Sequence, residues 1–382
     1  MLRLLRTEAA EFLPLSAMVA DNPSIARPTK SRHGHLRARA RADAADILAG
    51  VTDHLGPVVR VLADHATVVV SGTKLAQEIG ISRSAVWRSV EHLRELGVAI
   101  AGHPRTGYQL EQMPDLLLAE FLAPPVRGTI FGGPGGSGAG KIHHYFRAGS
   151  TNALAMQAGA AGEPEAAVFL AEEQTAGRGR GGHTWESEKS VGIYCSVLLR
   201  PQVSPADALP LSLAAGLAVA QAVEETTGMK PDLRWPNDLL LGGKKFSGIL
   251  TEMNAEATRV RFVVIGIGIN VNQAGFSGEL ADTATSLRMA GGGRVWSRLE
   301  LAAALLKSLD LAYRALVERG SEPVLAAFEQ RSSYARGKRV RVEDAGSNPY
   351  EGVTAGLDAH GFLQVKTAEG VRTVLSGGVR EI

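Results

Sequence analysis

Residues 175–187, TAGRGRGGHTWES, hold four glycines and two arginines within a few positions and close on a tryptophan. The run occurs once, between two strand-like segments, AAVFLAEEQ and VGIYCSVLLR. A single copy between strands is a loop of a folded domain, not a repetitive arginine-glycine tail of the kind that binds RNA. Its glycines let the backbone approach a ligand closely, and Arg178 and Arg180 add positive charge. The chain must therefore build a sheet whose connecting loop handles an anion.

At 382 residues the sequence exceeds one ordinary core, so two or three domains are expected. A formal charge of +2 excludes a general nucleic-acid coat, and any basic surface must be local. One cysteine, Cys195, excludes an internal disulfide and points to a reducing, cytoplasmic setting. No apolar run is read as approaching the ~20 residues that span a bilayer, so no membrane is expected. Residues 1–50 read as a basic, flexible extension, and RPTKSRHGHLRARARADAAD within it is Ala-rich and poor in large apolar side chains.

Residues 51–113 change character. SGTKLAQEIG reads as a short helix capped by Ser71 or Thr73 and stopped at Gly80. Ser82 then starts a second helix running to about Leu96, with Val86, Val90, Leu93 and Leu96 on its core face. Ser82, Arg83, Ser84, Ala85 and Arg88, together with Ser89, are left outward near its N-terminal half. This is a helix-turn-helix pattern, and GVAIAGHPRTGYQL adds a strand pair with Arg105 placed for phosphate. The generic alternative is a plain helical hairpin.

Residues 114–141 read as a Gly/Pro-rich connector. Within them GGSGAGK matches a phosphate loop, yet Ile142 follows where a hydroxyl is needed, and the next segment looks extended. Between 142 and 334 strand-like and helical runs alternate irregularly, as in a mixed α+β domain with helices against one sheet. The tail, 335–382, alternates in period two with turn signals and reads as a small five-stranded, SH3-like β-barrel.

Four stretches of the central region look placed for chemistry: GSTNALA, EEQTAGRGRGGHTWES, LRWPNDLLLGGKKFSGIL and GIGINVN. Singly, WPND reads equally as a turn and GIGIN as a buried strand end. In this order and spacing they resemble the biotin protein ligases, and residues 51–113 resemble the winged helix of the bifunctional subgroup that represses biotin genes.

The resemblance implies an ATP-dependent ligase making biotinyl-5'-AMP and passing biotin to a lysine of biotin carboxyl carrier protein. It implies that Ser150, Thr151, Asn152 and Gln174 bind biotin, while Arg178, Gly179 and Arg180 line its tail and the phosphate. Lys245 would pair with the biotin carboxylate and the α-phosphate. Trp185, Asn237 and Asn270 would serve ATP, Asp238 would hold Mg²⁺ as a hard oxygen ligand, and Gly248 would lie near lysine access. Partners implied are the carrier protein, operator DNA and, on ligand binding, a second copy of the chain.

Three departures stand out. Gly181 and His183 occupy positions usually basic, and Arg234 replaces the usual lysine before WPND. Arg380, near the end, is a candidate for the ATP site. Readings from other classes are a ligase whose winged helix does not regulate, a biotin-sensing transcription factor without catalysis, and a lipoate ligase.

Overall fold

The computed structural model describes residues 54–66, 68–112, 114–132, 140–343 and 348–382. The basic extension, and all of GGSGAGK except Gly140 and Lys141, lie outside them.

Three helices open the described chain: α1 (Leu55–Asp64), α2 (Gly72–Ile79) and α3 (Arg83–Glu95). Of the two candidate caps it is Ser71 that accepts the Lys74 N–H, at 3.1 Å, and Gly80 ends α2 with φ 77°. Ser82 caps α3 by accepting the Ala85 N–H at 3.1 Å. Val86, Val90 and Leu93 pack inward with Leu55, Val58, Val59, Leu62 and Leu75. Leu96, just past the helix end, is only half-buried. Ser89 is not outward but fully buried, because it stands three residues after Val86 and four before Leu93, on the core stripe itself.

The wing is β1 (Ile100–His103) paired antiparallel with β2 (Gly107–Leu110), and Val70 adds a rung beside Tyr108. Gly107 is required there: its φ is 141°, and a Cβ would stand 2.1 Å from the Val70 carbonyl oxygen. Arg105 sits exposed at the turn with φ 69°.

The stretch after the wing is not a free connector. Residues 114–132 carry α4 (Ala119–Leu122) and bury Leu117, Leu122, Val126 and Phe131 in the core of the central domain. Their apolar side chains recur without a clear period, so the Gly/Pro content of the whole segment masked them.

The central domain is a seven-stranded sheet. Its strands are β3 (Ile142–Tyr145), β4 (Val168–Ala171), β5 (Gly192–Leu199), β6 (Asp232–Arg234), β7 (Asp238–Leu241), β8 (Lys244–Ala255) and β9 (Val260–Asn270). Their order is β3-β4-β5-β9-β8-β7-β6, antiparallel except for β3 with β4. Helix α5 (Thr151–Ala160) covers one face, burying Ala155 against Phe169, Leu198, Phe262 and Val264. The other face carries α6 (Leu209–Thr227) and, after the short α7 (Leu280–Thr283) and α8 (Leu287–Ala290), α9 (Arg298–Arg319). Covered on both faces, β5 is buried at all eight positions, which explains its unbroken apolar run.

One apolar run does reach membrane length. Pro205–Thr227 has a mean hydropathy of 1.5, but it is mostly buried as the central core helix, packed under the sheet and against α9. Being apolar all round reflects that burial.

A buried ion cluster ties the first half of the domain to the second. Arg298, fully buried, donates to Asp115 (Nε to Oδ2, 2.9 Å) and to Glu172 (Nη1 to Oε2, 2.8 Å). Glu172 Oε1 also meets His144 Nε2 at 3.0 Å and accepts the Leu117 N–H at 2.9 Å. Burial, the strongest influence on the Glu172 carboxyl, opposes its ionisation. The His144 hydrogen bond, the Arg298 charge and the Leu117 N–H outweigh it and bring the pKa down to about 2.

After α10 (Glu322–Arg331) the chain forms β10 (Arg336–Glu343), β11 (Tyr350–Leu357), β12 (Leu363–Thr367), β13 (Gly370–Val374) and β14 (Gly378–Glu381). These make the expected five-stranded antiparallel unit, ordered β13-β12-β11-β10-β14. It is bonded to the central domain by Trp235 Nε1, which donates to the Gly361 carbonyl at 2.9 Å.

Candidate active site

One pocket, over the middle of the sheet on the α5 side, gathers most of the predicted residues. Ser150, Thr151 and Asn152 form the start of α5 and are each at most 7% exposed. The segments following β3 and β4 run side by side through an Ala148–Gln174 bridge, which brings Gln174 against them. Its Oε1 accepts the Thr151 N–H at 2.8 Å.

The floor is glycine. A Cβ on Gly266 would stand 2.0 Å from Asn152 Oδ1, and one on Gly268 would stand 2.5 Å from the Trp185 indole. Gly248 faces the same indole and the Lys245 side chain. Alternation along GIGIN therefore clears one sheet face so that two side chains can lie flat on it.

The Gly-Arg loop forms the pocket's rim. Gly179 donates to the His183 carbonyl at 2.6 Å, and Trp185 to the Gly177 carbonyl at 2.9 Å, so the loop folds back on itself. Gly177 has no room for a Cβ, which would lie 2.4 Å from the Trp185 carbonyl oxygen. Gly181, where a basic residue is usual, has φ 67°, a left-handed conformation that suits glycine. Arg178 Nη2 reaches Glu252 at 3.3 Å, and Arg180 Nη1 donates to the Gly377 carbonyl of the C-terminal unit at 2.6 Å.

Lys245, Asn237 and Gly248 complete the wall. A register shift between Leu239 and Leu240 carries β7 past β8 and helps set where Lys245 emerges. Lys245 Nζ lies 5.6 Å from the Trp185 ring centre and 2.5 Å from Asp238 Oδ1. Asp238 Oδ2 accepts from Arg234 at 2.7 Å. Asn237 donates to the Ile249 carbonyl at 2.8 Å, so its amide braces the bend where Trp235–Pro236 is cis.

Three predicted residues stand apart from this wall. Asp238 supports Lys245 from behind. Asn270 is buried, donating to the Thr285 carbonyl and accepting from Gln273, so it fastens the segment after β9 instead of lining the pocket. Arg380 lies on β14, 3.6 Å from Glu343. Among the described residues no three His, Cys, Asp or Glu side chains come together as a metal site.

Sequence reasoning missed Ser196, Glu252 and Trp87. Ser196 Oγ is within 2.8 Å of Thr151 Oγ1 and 2.6 Å of Asn152 Oδ1, fully buried beneath the pocket. A lone hydroxyl in the apolar run GIYCSVLL was its signal, since a buried hydroxyl needs a partner. Glu252 accepts from both Asn152, at 2.9 Å, and Arg178. Cys195 also lines the pocket, its thiol pushed up to about 12 by burial and so inert near neutrality.

On α3, Ser82, Arg83, Ser84 and Arg88 are exposed and Ala85 half-exposed, as expected of a groove-facing helix. Trp87, 56% exposed in their midst, joins them.

Comparison with known proteins agrees with this architecture. Residues 149–270 match the biotin/lipoate A/B protein ligase family, residues 58–109 an HTH domain, and residues 336–379 the biotin protein ligase C-terminal domain. The chain is 36% identical over 313 residues to the bifunctional ligase/repressor BirA of Bacillus subtilis, covering 81% of this chain and 93% of that one. It is 38% identical over 245 residues to the biotin–[acetyl-CoA-carboxylase] ligase of Mycobacterium tuberculosis, covering 63% and 88%. Among solved structures, the Aquifex aeolicus biotin protein ligase in complex with biotin and ATP superposes with a TM-score of 0.55 at 30% identity, covering 63% of this chain and 99% of that one. A winged helix, this pocket and the C-terminal sheet in one chain define a ligase joined to a DNA-binding module. The chain belongs to the biotin protein ligase family, and its relatives over most of its length are bifunctional ligase/repressors.

Proposed function

We propose that this chain activates biotin with ATP and transfers it to a lysine of biotin carboxyl carrier protein, and that its winged helix binds operator DNA. The convergence of Thr151, Asn152, Gln174, the arginine loop and Lys245 on one pocket carries the reading. A biotin carboxylate oxygen attacks the α-phosphorus of ATP, and pyrophosphate leaves with the bond it breaks. The carrier lysine, as free amine, then attacks the acyl carbon, AMP leaves, and the amine's proton passes to water.

The two anions of the first step repel, so the site must neutralise them. Lys245 and the guanidinium groups of Arg178 and Arg180 supply the positive charge that does this. Asp238 and Arg234 hold Lys245 in place. Trp185, lying flat over the glycine floor, leaves its indole N–H buried without a partner, a donor available to the nucleotide or the adenylate. Asn237 shapes the wall beneath it, and Asn270 acts at one remove by fixing residues 273 and 285.

The residues present do not fit a protein-held Mg²⁺. Both Asp238 oxygens already face cations, and among the described residues no group of three acidic, His or Cys side chains forms a metal site. Mg²⁺ would instead enter with the triphosphate, as it commonly does when bound through phosphate oxygens. A homodimer formed on ligand binding would offer two α3 helices to two half-sites.

Transfer of labelled biotin to a carrier domain, with ATP and Mg²⁺, tests the reading. Labelling of one acceptor lysine by the wild type, lost in Lys245→Ala, supports it. A folded wild type that binds biotin without labelling the carrier makes this a biotin sensor instead. Failure of the same protein to shift operator DNA leaves a ligase without a regulatory wing.

A further inference from the structure

Two carboxylates stand at a site that has to gather two anionic substrates, and each is paired with one of the site's own cations. The two pairs are not built alike. Lys245 rises from strand β8 and meets Asp238 at 2.5 Å. Arg178 belongs to the glycine-flanked loop and meets Glu252 through one contact, Nη2 to Oε2 at 3.3 Å, with 49% of its side chain exposed. A strong charge-assisted hydrogen bond is shorter, at about 2.7–2.9 Å, and an ion pair this exposed is weak. The other claim on the same Glu252 oxygen is firmer. Asn152 Nδ2 donates to it at 2.9 Å and also to the Leu250 carbonyl at 3.2 Å, while Asn152 Oδ1 accepts from Ser196 at 2.6 Å. This amide is 4% exposed and held on both its ends.

One carboxylate oxygen thus serves a fixed amide and a loosely held guanidinium. We propose that Glu252 is a positioning residue with two charges in its care: it orients Asn152 throughout, and it holds Arg178 aside until an anionic phosphoryl oxygen takes the guanidinium from it. The inference rests on the biotin ligase reading above and deepens it, making Arg178 a cation handed over on binding. The ion pair within the protein competes with the ligand, so the apparent affinity for an anion is the intrinsic one scaled by the fraction of molecules with Arg178 released. The exchange gives Arg178 one oxyanion for another. Glu252 keeps the Asn152 proton when Arg178 leaves. A neutral ligand that draws only on the head-group residues does not meet this competition.

The test measures dissociation constants by calorimetry for two probes: biotinol, which is neutral, and biotinol-5'-AMP, whose phosphodiester is anionic. Glu252→Gln keeps an oxygen for Asn152 and gives up the charge that holds Arg178. It is expected to leave biotinol binding unchanged and to tighten biotinol-5'-AMP by about threefold to fivefold. In an Arg178→Ala background the same substitution gives no tightening. Glu252→Ala, which takes the acceptor from Asn152, weakens biotinol by about fivefold or more. Glu252→Gln without tightening, or with tightening that persists when Arg178 is gone, overturns the proposal, as does unchanged biotinol binding by Glu252→Ala. A folded wild type that binds neither probe overturns the biotin reading, and this inference with it.

Discussion

Lys245 Nζ stands 2.5 Å from one oxygen of Asp238, and the other oxygen takes the Arg234 guanidinium at 2.7 Å. The carboxylate thus aims a cation at the pocket, held from its far side by a second cation. Asp238→Asn keeps the shape and removes the charge. Activity should fall by about tenfold to 100-fold, as when an oriented electrostatic contact is weakened. The Mg²⁺ concentration giving half-maximal rate should not move. A rightward shift in that concentration would make Asp238 a metal ligand after all.

Gly268 carries the Trp185 indole, and a Cβ there would lie 2.5 Å from the ring. Gly268→Ala should push the indole off the floor and raise the KM for ATP by about tenfold or more, with the protein still folded. Comparison of tryptophan emission with that of Trp185→Phe would report the displacement directly. Unchanged emission would place the strain elsewhere.

Acid should loosen the molecule through Glu172. Its pKa is lowered from the usual carboxylate value of 4.5 to about 2 in the fold. The stabilisation is therefore fully present above the unfolded pKa and lost as pH falls from 4.5 toward 2. At neutral pH it amounts to roughly 3 kcal/mol. Glu172→Gln removes that acid dependence and leaves the Arg298 charge buried with only Asp115, a loss of about 3 kcal/mol or more. Melting temperature measured across this pH window, for both proteins, checks the sign.

Much of this was legible before any coordinates. Ser71, Gly80 and Ser82 announced the ends of α2 and α3 because capping is a local transaction between a side chain and the nearest free N–H. The Gly-Arg loop and Lys245 announced the pocket because their chemistry is unusual in a strand-rich region. Glu252 was silent, since its partner Asn152 lies 100 positions away, and the lone hydroxyl of Ser196 asked for a partner without naming Asn152, 44 positions away. Asn270 shows the opposite situation. It sits at the end of a recognisable stretch, yet tertiary contacts with Gln273 and Thr285 decide where its amide points.

On the DNA-binding side the two kinds of contact separate. Arg105→Ala at the wing turn should weaken binding of every duplex alike and reduce the salt slope by about 1. Trp87→Ala on α3 should change the ranking of operator sequences, costing roughly 1–3 kcal/mol at the site it reads. Titrations at several salt concentrations, on matched and mismatched duplexes, distinguish them. Equal effects on all sequences for both variants would make Trp87 a packing residue only.

The ion cluster around Arg298 also decides where the catalytic body starts. Asp115 and the buried Leu117, Leu122, Val126 and Phe131 precede the first strand of the sheet, yet they fill its core and neutralise its deepest charge. A fragment beginning at residue 142 would expose apolar surface and strand a guanidinium, and should aggregate where one beginning at residue 114 stays monodisperse. The DNA-reading module is thus grafted onto a root that belongs to the enzyme.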